Sequence, residues 1–224
     1  MDVVVDLRRD KFSIDGLWFV GHSHGSYLGV LYARRHEDKV CAFVGPGQVT
    51  NDSPTGPVLS VQKQFLEDRR EELGLEPGAA IDASNQEYLR FKGGSELYGE
   101  TSFAPLLLSG LMASEYSLFD SLNIAKGSSF SSRHMKYDMP RDLPTSEWQF
   151  NVPVALIMGR QDMVTPTQLA REYFDRIDAP LKAWYELEDS AQFPHFEQPD
   201  QFTAALSELR NSWGESPQVA SGKH

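Results

Sequence analysis

The chain has 224 residues, 40% of them hydrophobic and 11% aromatic, which is enough to bury a core in one large domain or in a core with a lid. Its 32 acidic residues outnumber its 21 basic residues, and the net charge of −11 disfavours nucleic acid and anionic membranes as partners. With one cysteine, Cys41, an intrachain disulfide is impossible. No apolar run approaches the length of a membrane span, so we expect a cytoplasmic protein, with Cys41 buried in an apolar strand.

Apolar runs and helical patterns alternate at both ends of the chain. The pattern favours a three-layer α/β sandwich around a parallel sheet. Thr165 and Pro166 predict the N-cap and first position of a helix that runs through Arg176. The predicted strands are 17–20, 40–44, 153–158 and 182–187, and the other predicted helices are 2–11, 25–36 and a final one from about Pro199.

The middle of the chain interrupts this alternation. It has little strand pattern, with helical stretches near 59–74, 84–92 and 103–124 and an irregular stretch at 127–146. An insertion of this kind between two sheet strands predicts a lid over the site. We therefore divide the chain into a first core part (1–44), a mostly helical lid or cap (45–150), a second core part (151–214) and a flexible tail (215–224).

The most informative motif is Gly21-His22-Ser23-His24-Gly25, which lies between a predicted strand and a predicted helix. A G-x-S-x-G turn in that setting is the nucleophile elbow of an α/β-hydrolase. The glycines would allow backbone to approach backbone in a strained turn. Ser23 would stand at the strand tip, the His24 N–H would face an oxyanion, and the His22 side chain would line the substrate pocket. The alternative is a structural serine in a tight turn.

Several motifs together resemble the α/β-hydrolases related to proline iminopeptidases. They are the elbow, Gly45-Pro46-Gly47-Gln48, Gly159-Arg160-Gln161-Asp162 and Ser190-Ala191-Gln192-Phe193-Pro194-His195. The resemblance implies a triad in the chain order serine, acid, histidine, with the lid between serine and acid. Ser23 then matches the nucleophile and Asp162 the acid. A helix-capping or loop aspartate is the alternative for Asp162.

Gln192 departs from the family pattern because it occupies the position of the triad histidine. An amide cannot accept a proton near neutral pH, so Gln192 cannot act as general base toward Ser23. His195, three residues later, is a possible substitute base, although packing near the last helix is the favoured reading for it. Two hypotheses follow: an impaired ester or amide hydrolase with an acyl-enzyme on Ser23, and a silent homologue that binds a small molecule or a protein.

The resemblance also predicts the state of the sheet edge, and the residues themselves bear on the cofactors. Relatives have further strands before the elbow, so we expect the edge of strand 17–20 to be unpaired, and a second copy or a complementing chain could cover it. The expected ligand is a small-molecule or peptide substrate. The scattered histidines and the absence of nucleotide-binding glycine motifs predict neither a metal nor another cofactor.

Overall fold

The computed structural model describes residues 1–50, 56–71, 97–98, 108, 118–134 and 148–214. In this part of the chain four strands form one parallel sheet in the order β1-β2-β3-β4. The strands are β1 (Leu17–Val20), β2 (Val40–Pro46), β3 (Val154–Gly159) and β4 (Lys182–Leu187). All four predicted strands are confirmed, and with them the α/β sandwich built on a parallel sheet.

Seven helices have their bounds in the described residues. They are α1 (Asp2–Phe12), α2 (His24–Arg35), α3 (Pro57–Glu67), α4 (Leu118–His134), α5 (Thr167–Arg176), α6 (Pro194–Glu197) and α7 (Pro199–Trp213). Of these, α2, α5, α6 and α7 contact the sheet. Strands β2 and β3 are almost completely buried, so both faces of the sheet are covered there. Because successive side chains of a strand point to opposite faces, the apolar side chains of β2 and β3 alternate between two cores. Val154 and Leu156 face a core with α2 and α5, whereas Ala155 and Ile157 face a core with α7. The result is three layers.

The topology brings the chemistry-bearing loops to one edge. In a parallel sheet the carboxyl ends of all strands lie at the same edge, which is where ligands bind in open α/β sheets. Ser23 follows β1, Gly47 follows β2, Asp162 follows β3, and Gln192 lies in the loop after β4. Residues far apart in the sequence therefore meet at one place.

Strand β1 forms one edge of the sheet, since it pairs with β2 and with no other strand of the described residues, and β4 forms the other edge. Val20 at the tip of β1 is about half exposed. Helix α1 is held to the segment between α2 and β2 by Lys39, whose Nζ contacts the carboxylates of Asp2 and Asp6 at 2.7 and 2.8 Å. What covers the edge at β1, a second copy or a complementing chain, stays a prediction.

Some local predictions were wrong. The stretch 127–146 is predicted to be irregular, but residues 127–134 continue helix α4, and 135–146 lie outside the described residues. The last turn of α4 is stabilised by the ring of His134, which stacks on Phe130 at 4.1 Å and bonds the Phe130 carbonyl at 2.8 Å. Cys41, expected to be buried, is half-buried in β2. Helix α6 was not anticipated.

The lid boundaries and the tail stay predictions. Helix α3 covers much of the predicted stretch 59–74. The predicted helix at 84–92, most of the one at 103–124 and the tail at 215–224 lie outside the described residues. None of the helices that are described is long and apolar enough to cross a membrane.

Candidate active site

Ser23 stands on a strained turn between β1 and α2. Its backbone has φ 51° and ψ −119°, a conformation that costs a non-glycine residue about 1–3 kcal/mol and persists only when the surroundings enforce it. The surroundings are hydrogen bonds: the Ser23 N–H donates to the Pro46 carbonyl at 3.0 Å. The Ser23 carbonyl accepts from the Ser26 hydroxyl at 2.5 Å and from the Ser26 N–H at 2.8 Å. This is the geometry of a nucleophile elbow.

The two elbow glycines differ in how closely other atoms approach them. A Cβ on Gly21 would lie 2.2 Å from the Gly25 carbonyl oxygen, so no other residue fits there without movement. A Cβ on Gly25 would meet nothing within 4 Å. The expectation that close backbone approach requires both glycines is therefore correct for Gly21 and wrong for Gly25.

The Gln192 side chain joins Ser23 to Asp162. With its amide oxygen toward the serine, Oε1 accepts from the Ser23 hydroxyl at 2.9 Å, and Nε2 donates to the Asp162 carboxylate oxygens at 2.8 and 3.0 Å. The opposite orientation would turn the amide oxygen toward the carboxylate, so hydrogen-bond chemistry selects the first. Gln192 and Asp162 are both buried, and the structure brings all three side chains together.

The amide of Gln192 copies the hydrogen-bond pattern of a triad histidine. A neutral imidazole in this place donates one N–H to the acid and accepts the serine hydroxyl on its other nitrogen. Gln192 donates to Asp162 and accepts from Ser23 in the same way. What it cannot do is bind the serine proton, because an amide oxygen is not a base near neutral pH.

Asp162 is completely buried at the start of the loop after β3. Its Oδ1 accepts from the N–H groups of Val164 and Thr165 at 2.9 and 2.8 Å, and its Oδ2 accepts from the Thr165 hydroxyl at 2.7 Å. Burial raises the pKa of this carboxyl to about 7, although the bonds from Thr165 and Val164 oppose that rise. Asp162 thus makes loop bonds, as the alternative reading expected, while it also faces Gln192.

Thr165 was not recognised as a site residue. The prediction that it caps the next helix is wrong: Pro166 is at the N-cap position, and α5 begins at Thr167. The Thr165 hydroxyl instead donates to Asp162 and lies 2.9 Å from the Gln192 amide nitrogen, from which it accepts. The available signal was the spacing Asp162-x-x-Thr165, which suits a carboxylate that bonds backbone N–H groups two and three residues on.

His22 and His24, on either side of Ser23, lie in different surroundings. The His22 ring is half-buried, and its Nε2 lies 2.7 Å from the Gln192 backbone carbonyl. The His24 side chain is exposed and stacks on Tyr27 at 5.8 Å, while its backbone opens helix α2 beside Ser23. The oxyanion role of the His24 N–H and the pocket-lining role of His22 stay predictions.

His195 lies in helix α6 within an aromatic cluster. Its ring centroid is 4.7 Å from that of His22, 4.4 Å from Phe196 and 5.7 Å from Phe202. Burial, followed by the neighbouring His22, lowers the pKa of His195 to about 4. Its Nδ1 is buried with no hydrogen-bond partner among the described residues. These contacts match packing, and its role as a substitute base stays a prediction.

The loop that carries Gln192 is held by Glu197. One carboxylate oxygen of Glu197 accepts from the Ser190 hydroxyl and from the Ala191 N–H, both at 2.8 Å, and the other accepts from the Tyr98 N–H.

Within the ranges that the structure describes, no three histidine, cysteine, aspartate or glutamate side chains come together as metal ligands.

Comparisons with known proteins agree with this architecture. A probable aminopeptidase, YbaC of Bacillus subtilis (strain 168), is 28% identical over 220 residues, a match that covers 88% of this chain. The chain spans only 65% of the length of that relative.

Solved structures with the same fold include proline iminopeptidase of Mycobacterium smegmatis, with a TM-score of 0.60 and 16% identity over 92% of this chain and 68% of that one. A thermophilic esterase from Thermogutta terrifontis has a TM-score of 0.56 and 16% identity over 94% of this chain and 70% of that one. At such identities the likeness concerns the fold. Residues 2–205 match the sequence profile described as "Alpha/beta hydrolase family". The chain therefore belongs to the alpha/beta hydrolase family.

Proposed function

We propose that this α/β hydrolase is a serine hydrolase of the aminopeptidase or esterase kind, impaired in turnover by Gln192. The observation that supports the proposal is the chain of contacts from the Ser23 hydroxyl through the Gln192 amide to the buried Asp162 carboxylate. Residues 45–150 would form the lid over a small-molecule or peptide substrate, and the protein would act in the cytoplasm.

The proposed reaction is acyl transfer to Ser23. The serine oxygen attacks the carbonyl carbon of an ester or amide, and the carbonyl oxygen becomes an oxyanion that the His24 N–H stabilises. In a complete triad the residue at position 192 takes the serine proton and gives it to the leaving alcohol or amine, and it then takes a proton from the water that hydrolyses the acyl-enzyme and returns it to the Ser23 oxygen. Because Gln192 cannot take either proton, solvent water must carry both. Removal of a triad member costs on the order of a millionfold in turnover, so the parent chain should retain only a residual rate.

A second candidate function is binding without catalysis, of a small molecule or a protein partner. It is favoured by the complete hydrogen bonding of Gln192, which leaves a stable site of the right shape with no base in it. The two candidates differ in one measurable respect: only an impaired hydrolase gains turnover when a base is restored.

The experiment compares hydrolysis of a p-nitrophenyl short-chain ester and of proline p-nitroanilide by the parent, Gln192→His and Ser23→Ala proteins. We expect Gln192→His to raise turnover by about 10³-fold or more, and Ser23→Ala in that background to abolish the gain. Gln201→His, on the exposed face of α7, is the matched control and should change nothing. A folded Gln192→His protein that matches the parent on both substrates would favour the binding role instead.

A reaction that needs no water step provides a second measurement. A fluorophosphonate probe phosphonylates an activated serine once, with loss of fluoride, and mass spectrometry locates the adduct. We expect slow labelling of Ser23 in the parent and much faster labelling after Gln192→His. Labelling that survives Ser23→Ala would contradict the assignment of Ser23 as nucleophile.

A further inference from the structure

Residue 192 is held by its main chain as well as by its side chain. The His22 Nε2 lies 2.7 Å from the Gln192 carbonyl oxygen, and the two residues are 170 positions apart in the sequence. His22 directly precedes Ser23 in the elbow. Adjacent elbow residues therefore contact the same distant residue, one at its backbone and the other at its side chain.

The chemistry of this bond fixes the state of the His22 ring. A carbonyl oxygen can only accept, so the nitrogen that faces it must bear the hydrogen. Burial lowers the pKa of His22, which favours the neutral ring, while the bond to Gln192 acts in the opposite direction. The charge-bearing and titratable groups packed nearby are His195 on α6, and, across Gln192, Asp162 on the loop after β3.

The ring is also fixed sterically. Its centroid lies 4.8 Å from that of Phe193 and 4.7 Å from that of His195. On the other side, Gly47 at φ +53° is so close that a Cβ there would lie 3.1 Å from the Gln192 carbonyl oxygen and 3.4 Å from His22 Cδ2. His22 and residue 192 consequently meet in a space with room for little movement.

The main chain of the loop at 190–193 is attached at more than one point. Glu197 binds its beginning through Ser190 and Ala191, and the Gln161 N–H donates to the Ser190 carbonyl at 2.9 Å, so these bonds relate the loop to helix α6 and to the loop after β3. The bond from His22 relates the main chain of residue 192 directly to the elbow. Since a displacement of about 1 Å at a reacting group can cost on the order of a hundredfold in rate, this bond bears on whether residue 192 reaches the serine oxygen.

We propose that His22 is a positioning residue whose Nε2–H holds the main chain of residue 192 within reach of Ser23. It acts on the base position rather than on the substrate, and any side chain at 192, amide or imidazole, is placed by it. The inference rests on the proposed function for its kinetic test, but its spectroscopic test does not.

The kinetic test uses the Gln192→His background and three changes at His22. His22→Gln carries an amide N–H at the place of Nε2, His22→Asn ends one bond short, and His22→Leu has no donor. We expect His22→Leu and His22→Asn to lower kcat about 10- to 100-fold with little change in KM, and His22→Gln to restore most of it. A rise in KM at constant kcat would instead make His22 a substrate-pocket residue and overturn the proposal.

The spectroscopic test does not depend on turnover. ¹⁵N NMR of the parent should show His22 as the neutral tautomer with hydrogen on Nε2, and a ring protonated only on Nδ1 would overturn the proposal even if every variant at position 22 failed to fold. In the Gln192→His background, the pKa of the imidazole introduced at 192 should move toward about 6.5 after His22→Leu and should stay unchanged after His22→Gln. If the Gln192→His protein has no turnover but this pKa behaves as expected, the proposed function fails while the role of His22 stands.

Discussion

The Asp162 carboxylate and the Gln192 amide face each other at 2.8 and 3.0 Å in a buried space beside Ser23. A carboxylate there has a neutral partner where a histidine would become positively charged during catalysis. Among the described residues, the charge of this carboxylate is therefore supported by hydrogen bonds from neutral groups alone.

The contribution of Asp162 to the stability of the parent should fall as pH rises from about 4 to about 7. Burial raises the pKa of Asp162 from an ordinary 3.8 to about 7, so the folded state binds this proton more tightly than the unfolded state does. The stabilisation is complete below the unfolded pKa and is lost as pH rises through the folded one, to an extent of about 4 kcal/mol at most.

Asp162→Asn removes this titration, so the free energy of unfolding of the variant in urea should decrease less, or increase more, with rising pH than that of the parent over the same range. Asp175→Asn, on the exposed face of α5, is the matched control and should leave the slope of the parent unchanged. Parallel curves for the parent and Asp162→Asn would show that Asp162 titrates normally.

Thr165→Val should destabilise the protein by about 1–3 kcal/mol. Valine has nearly the shape of threonine but no hydroxyl, so the carboxylate of Asp162 and the amide of Gln192 would each lose a buried hydrogen-bond partner. The substitution should also shift the pH-dependent loss of stability to still higher pH, since the Thr165 hydroxyl holds the pKa of Asp162 down. Urea denaturation at several pH values measures both effects. Thr203→Val, exposed on α7, serves as control, and an equal effect of the two changes would refute the role of Thr165.

Gly21→Ala and Gly25→Ala should differ sharply although both lie in the elbow. The new methyl at Gly21 would lie 2.2 Å from a backbone oxygen, which requires the turn itself to shift, whereas the one at Gly25 enters open space at the start of a helix. We expect a loss of about 2 kcal/mol or more for Gly21→Ala and less than about 1 kcal/mol in either direction for Gly25→Ala. Thermal unfolding compares them, and similar midpoints would contradict the close approach at Gly21.

His195→Phe should leave any residual hydrolysis by the parent unchanged. The His195 ring lies among aromatic side chains, and its buried Nδ1 makes no hydrogen bond within the described residues, so phenylalanine keeps the packing and removes an unsatisfied polar atom. Loss of Ser23-dependent ester hydrolysis in this variant would identify His195 as the substitute base.

The same variant should also be less sensitive to acid. The pKa of His195 is lowered to about 4, so the folded state binds this proton less tightly than the unfolded state does. The contribution of His195 to stability is therefore lost as pH falls from about 6.5 through 4, opposite in sign to the contribution of Asp162. The replacement removes this contribution. A comparison of unfolding midpoints between pH 4 and 7 checks the direction, with His134→Phe, on exposed α4, as control.

The sequence could predict which side chains meet but not how they are bonded. Ser23, Asp162 and Gln192 each follow a strand, and parallel strands end at one edge, so their proximity follows from the pattern alone. Thr165 was assigned to helix capping because local sequence favours the nearest helix, whereas its hydroxyl serves a buried carboxylate. The bond between His22 and Gln192 joins two short motifs that lie 170 positions apart in the sequence, and neither motif contains a sign of it.

The bounds of single helices were harder to predict from the sequence, because contacts between side chains decide them. Helix α4 passes through Gly127 and several serines, which individually favour turns, and its end depends on a contact between Phe130 and His134. Propensity is a weak guide where such contacts decide. The confirmed strands, by contrast, are short apolar runs that the sheet buries on both faces.

Because the amide at position 192 fills the same bonds as an imidazole would, exchange between the two should cost the fold little. Glutamine and histidine codons differ only in their third base, so a single point mutation can carry a gene in either direction across this boundary. On the proposed function, chemistry and architecture would be inherited separately here: a descendant could lose the reaction while keeping the scaffold, and regain it by one nucleotide change.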